Sequence, residues 1–280
     1  MSERTISRIG FMQGRLSPMI DGRIQSFPWS CWEDEFLLAE KIDIRLMEWT
    51  IDSKEIERNP IFLNDGRERI AELSSSRNIS IPSVTSDYFM ENPPWVSKSV
   101  EVNRIHRNTI AGMKIMGSKV LVIPLVDNSS ILNDEIELKF LEFMTNMESD
   151  LRENDIKIAI ESDFQPTNLA NFISKLDPEL VGINYDIGNS ASLGFSPFEE
   201  LSLYGDRIIN VHVKDRILGG TTVPLGTGNA DLPGTVQLLE QIGYNGNYIL
   251  QTARAEDEKH SEAIVKYSNM VKEWLHEYKR

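Results

Sequence analysis

Cysteine is nearly absent. The 280-residue chain has one, Cys31, which leaves no internal disulfide framework and no four-cysteine zinc site. Cys31 lies in Trp29-Ser30-Cys31-Trp32 with no histidine near it in sequence, so it reads as a packing residue and not as a nucleophile. Positive charge is also short, with 29 Lys and Arg against 43 Asp and Glu and a net charge of −14. That balance argues against a duplex nucleic-acid binder, whose affinity comes from Lys and Arg neutralising phosphates. It leaves room for a local basic pocket around a small anion. No apolar run reaches the roughly 18 residues of a membrane span, and Met1-Ser2-Glu3-Arg4-Thr5 has no apolar stretch behind it like a signal peptide. A reducing, cytoplasmic location is expected. The Gly-rich turn of a dinucleotide-binding sheet is missing as well: after the first β-like run the chain reads Gly10-Phe11-Met12-Gln13-Gly14-Arg15.

What the chain does have is a rhythm. β-like runs rich in Ile and Val fall at Ser7 to Met12, Ile44 to Trp49, Ile79 to Thr85, Val120 to Val126, Ile156 to Ser162, Val181 to Asp186, Ile208 to Lys214 and Tyr248 to Thr252. Most carry apolar residues in succession, so both faces must be covered, as in a parallel sheet wrapped by helices. Helical spacing fills the gaps. Trp32 to Glu40 carries acids in its first turn, Asn133 caps the stretch to Leu141, and Lys259 to Tyr278 puts Ile264, Tyr267, Met270, Val271 and Leu275 on one stripe. Eight alternating units match the roughly 250 residues of a (β/α)8 barrel. No Pro/Gly/Ser linker splits the chain, so an α/β fold, a single-domain TIM barrel over residues 1–280, is expected.

Barrel chemistry sits where strands end and the following loops begin. There the sequence places Gln13-Gly14-Arg15, Glu48-Trp49, Ser86-Asp87-Tyr88, Glu161-Ser162-Asp163, Asp186-Ile187-Gly188-Asn189, His212-Val213-Lys214-Asp215-Arg216 and Gln251-Thr252-Ala253-Arg254. Ionisable groups beside buried β runs are unfavourable unless paired or bound to metal. Glu161, Asp186 and His212 stand 25 and 26 residues apart, one βα unit each. Adjacent strands lie about 4.8 Å apart, so the three can converge on one ion. Two carboxylates and an imidazole suit one divalent cation, Mn²⁺, Mg²⁺, Co²⁺ or Zn²⁺. Gln251 offers a carbonyl oxygen as the fourth ligand.

Ile160-Glu161-Ser162, Tyr185-Asp186-Ile187-Gly188-Asn189 and Val211-His212-Val213-Lys214-Asp215-Arg216, in that order, resemble the xylose-isomerase-like TIM-barrel superfamily. Its members include sugar and sugar-phosphate isomerases and epimerases. The stretches 224–231 and 242–246 are similar to that family's link between its last two strands, and the resemblance runs from Gly10 to Arg254. It implies that Glu161, Asp186 and His212 hold the metal and that Gln251 stands where the family has a second Glu. In the family's epimerases the two Glu residues exchange a carbon-bound proton from opposite faces. Glutamine cannot accept that proton. The resemblance therefore implies a metal-dependent isomerase acting through a metal-stabilised cis-enediolate, on a sugar bearing phosphate or carboxylate. A 3-epimerase, a polyol dehydratase and a catalytically silent sugar-binding protein are the alternatives. Asn189 falls where several ketose epimerases place a substrate-binding His. The histidine-rich zinc endonuclease branch is disfavoured, because only His212 of the four histidines lies at a strand end. Family members are often dimers or tetramers, which sets the expectation of a homodimer or homotetramer.

Glu161 is the expected base and Glu48 the reserve, although Glu48 reads equally well as the partner of an arginine. Arg15, Lys214, Arg216 and Arg254 are expected either to form a cationic rim for the substrate's anion or to brace the mouth through Glu48, Asp163 and Asp215. Asn189 and Asp215 are expected to touch substrate. Gly219-Gly220 and Gly226-Thr227-Gly228 offer backbone N–H donors to a phosphate. Trp49 is the expected sugar-stacking wall, Asp87 and Tyr88 are left undecided, and His106 and His260 are expected in solvent.

Overall fold

The Ile- and Val-rich runs become β1 (Ile9–Met12), β2 (Leu46–Ile51), β3 (Ser80–Ser86), β4 (Val120–Leu125), β5 (Lys157–Ser162), β6 (Val181–Asp186) and β7 (Ile208–Val213). Two short strands follow, β8 (Asp215–Arg216) and β9 (Thr222–Val223), and then β10 (Tyr248–Leu250). In the computed structural model, which describes residues 8–96 and 100–277, the long strands close into a parallel barrel in the order β1-β10-β7-β6-β5-β4-β3-β2. β8 and β9 pair separately as an antiparallel ribbon in the loop after β7. Ser7, Tyr278 and the Met1-to-Thr5 start lie outside the described residues.

Continuous burial explains the continuous apolar runs. All six residues of β6 are buried, because one face fills the barrel and the other lies under helices. The helices obey local chemistry. Asn133 Oδ1 accepts from Ile136 N at 3.0 Å and caps the helix Asp134–Asn154. Asp186 both ends β6 and caps Ile187–Leu193, accepting from Asn189 N at 2.8 Å. The last helix, His260–Glu277, buries Ile264, Tyr267, Val271 and Leu275. Glu35, expected to serve the dipole of the helix Asp34–Lys41, instead turns inward to bind the backbone N–H groups of Gly14 and Leu16. Among the described residues no helix is long and apolar enough to cross a membrane.

Candidate active site

Parallel pairing sets Asp186 of β6 directly beside His212 of β7. The ligand-type atoms of Glu161, Asp186 and His212 all lie within 4.8 Å of one another, and the three residues are buried. Glu161 Oε2 is 3.2 Å from His212 Nδ1. On the far side of the ring, His212 Nε2 meets Glu48 Oε1 at 2.7 Å. Glu48 also accepts hydrogen bonds from Thr85 Oγ1 (2.7 Å), Ser83 Oγ (2.6 Å) and Asn210 Nδ2 (2.9 Å). Asn184 Nδ2 donates to Glu161 Oε2 at 2.7 Å, and its Oδ1 accepts from Asn210 at 2.9 Å. The strand period of two explains the grouping: Ser83 with Thr85, Asn184 with Asp186, and Asn210 with His212 share the barrel's inner face.

Charge follows geometry. Burial would strip His212 of its proton, but Glu48 and Glu161 outweigh it and push the imidazole up to about 10. Burial raises both carboxyls, yet His212 and the hydroxyl, amide and ammonium groups around them more than offset it, holding Glu48 and Glu161 below their ordinary value. The pocket thus gathers three carboxylates around a charged imidazole and the Lys214 ammonium. Its donor set fits a divalent cation: two carboxylates, and an imidazole whose other nitrogen is gripped by a buried carboxylate, as in metal-binding histidines. A proton on Nδ1 and a metal ion would compete for the same place.

Gln251 departs from expectation. Its Oε1 accepts from Lys214 Nζ at 3.0 Å, and the same ammonium lies 3.0 Å from Asp186 Oδ2 and 3.2 Å from Asn189 Oδ1. The amide carbonyl thus shares with Asp186 the ammonium of one lysine, beside the cluster of Glu161, Asp186 and His212. Gly188 makes this crossing possible, since a Cβ there would stand 2.8 Å from Lys214 Cγ. Asn189 donates to Glu161 Oε1 at 2.7 Å and accepts from Arg216 Nη1 at 2.8 Å. It organises the site from within, with both ends of its amide in use. The remaining Arg216 donors go to Gly220 O at 3.2 and 2.7 Å.

Four further expectations are corrected. Glu48 is wholly buried and its oxygens are saturated by four donors, so it orients His212 and has no lone pair left for a substrate proton. Asp215 is wholly buried too, accepting from Gly226 N (2.9 Å), Gly228 N (2.9 Å) and Ala230 N (3.1 Å). It shapes the loop from beneath and uses the Gly226 and Gly228 N–H groups expected for phosphate, while Gly219 N and Gly220 N go to Ser192 O and Ile217 O. Trp49 is no wall: it is fully buried against Phe27 and Trp32 and donates to Asn59 Oδ1 at 3.1 Å. His106 and His260 are buried; the His106 ring lies between Phe89 and Phe143, and burial pushes it down to about 4.

Arg15 is 3% exposed, and Arg254 is half-buried with Nη1 and Nη2 donating to the carbonyls of Gly14 and Ser17. Among the described residues, no salt bridge joins the rim cations to Glu48, Asp163 or Asp215. Asp87 lies half-buried after β3, pushed up to about 7 by burial, Glu161 and Asp52, against the opposing pull of Lys214 and Arg15. Asn184 and Asn210 had not been singled out. Their signal was readable: each is a polar residue inside an apolar run, two positions before a candidate ligand.

The family described as xylose isomerase-like TIM barrel matches residues 36–273. An inosose dehydratase of Bacillus anthracis is 26% identical over 157 residues, 50% of this chain and 51% of that protein. The chain spans about half the length, or less, of the curated relatives it matches. Among solved structures, a D-allulose 3-epimerase from Methylomonas sp. in complex with D-allulose shares the fold with a TM-score of 0.71 at 13% identity, covering 95% of this chain and 97% of that one. The IolI protein with a bound zinc atom does so with a TM-score of 0.68 at 19% identity, over 88% and 93%. Barrel, strand-end cluster and sequence match agree: this chain belongs to the xylose isomerase-like TIM-barrel family.

Proposed function

We propose that the chain is a divalent-metal-dependent sugar isomerase that shifts a proton between neighbouring carbons through a cis-enediolate, on a sugar carrying phosphate or carboxylate. The observation that carries this reading is the buried cluster of Glu161, Asp186 and His212, with ligand atoms within 4.8 Å of one another at the C-terminal ends of adjacent strands. A divalent cation held by these residues would supply Lewis-acid polarisation of substrate oxygens. Zinc in the IolI structure supports that assignment. Glu161 is the base. Asn184 and Asn189 each donate to one of its oxygens, fixing the carboxylate plane and keeping it anionic. Glu48 holds the His212 ring, Lys214 balances the charge of Asp186, and Gln251 brings no acid to the opposite face. Proton transfer from one face suits a 1,2 aldose–ketose shift and does not suit inversion.

A second reading, a dehydratase, has a specific support in the similarity to inosose dehydratase and would begin with the same deprotonation. Incubation of manganese-loaded protein with a panel of sugar phosphates and acidic sugars in D₂O separates the two. Isomerisation yields a product of unchanged mass apart from deuterium, whereas dehydration loses the mass of one water. With a cyclic keto-polyol added to the panel, absence of both product and deuterium incorporation would overturn both and leave a binding protein.

A further inference from the structure

We propose that Arg15 and Arg254 together form the site for the substrate's anionic end, and that this pair, not Lys214 or Arg216, selects a phosphate monoester. The inference rests on the reading of the barrel mouth as a sugar site and adds which residues read the charge.

Lys214 is already balanced by Asp186, and each of the three Arg216 nitrogens already donates, Nη1 to Asn189 and Nε and Nη2 to Gly220. Arg15 differs. Its Nη1 donates to Ile24 O at 2.9 Å, while its Nε is buried with no partner. Arg254 reaches over from the loop after β10 and clasps the carbonyls of Gly14 and Ser17, which flank Arg15 in sequence; its own Nε is also buried without a partner. Gly14 has φ +92°, and a Cβ there would stand 2.8 Å from Ser26 O, so the turn that brings the two guanidinium groups together requires glycine. Among the described residues neither arginine forms a salt bridge with a carboxylate. Of the acids around the pair, Asp87 and Asp186 act on Arg15 without a salt bridge to it, and Glu35 and Asp52 are engaged by backbone N–H groups. Glu35 accepts from Gly14 N and Leu16 N at 2.8 to 3.0 Å, and Asp52 accepts from Phe27 N and Lys54 N at 2.8 and 2.9 Å.

A buried guanidinium beside a half-buried one, neither in a salt bridge, is unfavourable even with Glu35, Asp87 and Asp186 acting on Arg15 from a distance. Their mutual effect is visible in Arg15, which is pushed down to about 9 by burial first and by Arg254 next, against the opposing pull of Asp87, Glu35 and Asp186. An oxyanion relieves both problems, and a phosphate monoester, with about −1.5 to −2 charge at pH 7, matches two guanidinium groups better than a carboxylate does. Topology supplies the span. β1, which leads into Arg15, lies four strands from β5 in either direction around the barrel, so Arg15 and Glu161 face each other across the mouth. The anion is therefore on a carbon remote from the one that loses its proton, as in a linear sugar phosphorylated at its far terminus.

The test needs no catalysis. Inorganic phosphate and acetate are titrated calorimetrically into the chelator-treated full chain. One phosphate site is expected, with acetate bound about tenfold more weakly. Arg15→Gln should weaken phosphate about tenfold or more, and Arg216→Gln should leave it nearly unchanged. If Arg15→Gln does not fold, Arg15→Lys keeps a charge but loses the fork and should still weaken phosphate. Millimolar phosphate should also raise the melting temperature of unmodified protein above chloride at equal ionic strength. No phosphate binding by the unmodified chain, acetate bound as tightly as phosphate, or equal losses from Arg15→Gln and Arg216→Gln would overturn the proposal. A phosphate site with neither product nor deuterium exchange from any sugar phosphate would instead overturn the isomerase reading and leave this one standing.

Discussion

His212 Nε2 and Glu48 Oε1 meet at 2.7 Å inside the barrel, and neither side chain touches solvent. The contact turns Nδ1 of the same ring toward Glu161, 3.2 Å away. A residue three strand positions round the barrel from β5 thus sets the aim of the candidate metal ligand, while Ser83, Thr85 and Asn210 lock that residue in turn.

Replacing Glu48 by Gln keeps the shape and removes the charge that grips the ring. Glu48→Gln is expected to lower Mn²⁺ affinity about 10- to 100-fold, the usual effect of losing such a partner, with an unchanged circular dichroism spectrum. Calorimetric titration reads the affinity. Equal binding by both proteins would show that Glu48 merely fills space.

Gln251 stands on Lys214 and brings no acid to the site. The unmodified chain should isomerise without inverting a stereocentre, and Gln251→Glu should add slow inversion, because a second carboxyl then faces the substrate. Chiral chromatography of the products distinguishes the outcomes. Inversion at useful rates by the unmodified chain would mean that another acid, with Asp87 the foremost candidate, supplies the second proton.

His106 carries a pH dependence far from the mouth. Its folded pKa is depressed from 6.5 to about 4 by burial, so the unfolded chain binds the extra proton first as pH falls. The stabilisation from keeping this ring neutral is complete above pH 6.5 and disappears as pH falls toward about 4. It amounts to about 3 kcal/mol. Urea unfolding of unmodified protein and His106→Leu across pH 4 to 7.5 should give curves that converge or cross toward acid. Parallel curves would contradict the assignment.

Much of this was legible in the sequence because barrel strands are buried on both faces and announce themselves as unbroken Ile and Val runs. Glu161, Asp186 and His212 were legible for a related reason: a charge at the end of such a run needs a partner. What the sequence could not say is which lone pairs were already in use. Asp215 and Gln251 stand just after strand ends and Glu48 within β2, and only the folded chain shows that three backbone N–H groups, a lysine and a histidine occupy them. Residue identity shows that a group can bind, and packing decides what it does bind. The same limit misplaced His106, since the sequence around it does not tell that Phe143 of a neighbouring helix covers its ring.

If Glu161, Asp186 and His212 share one divalent cation, anomalous diffraction from crystals soaked in Mn²⁺ will show it. A single strong peak is expected about 2.0–2.6 Å from an oxygen of each carboxylate and from Nδ1 of His212, absent in His212→Ala. A peak elsewhere, or no peak at a manganese concentration that saturates the calorimetric signal, would contradict it.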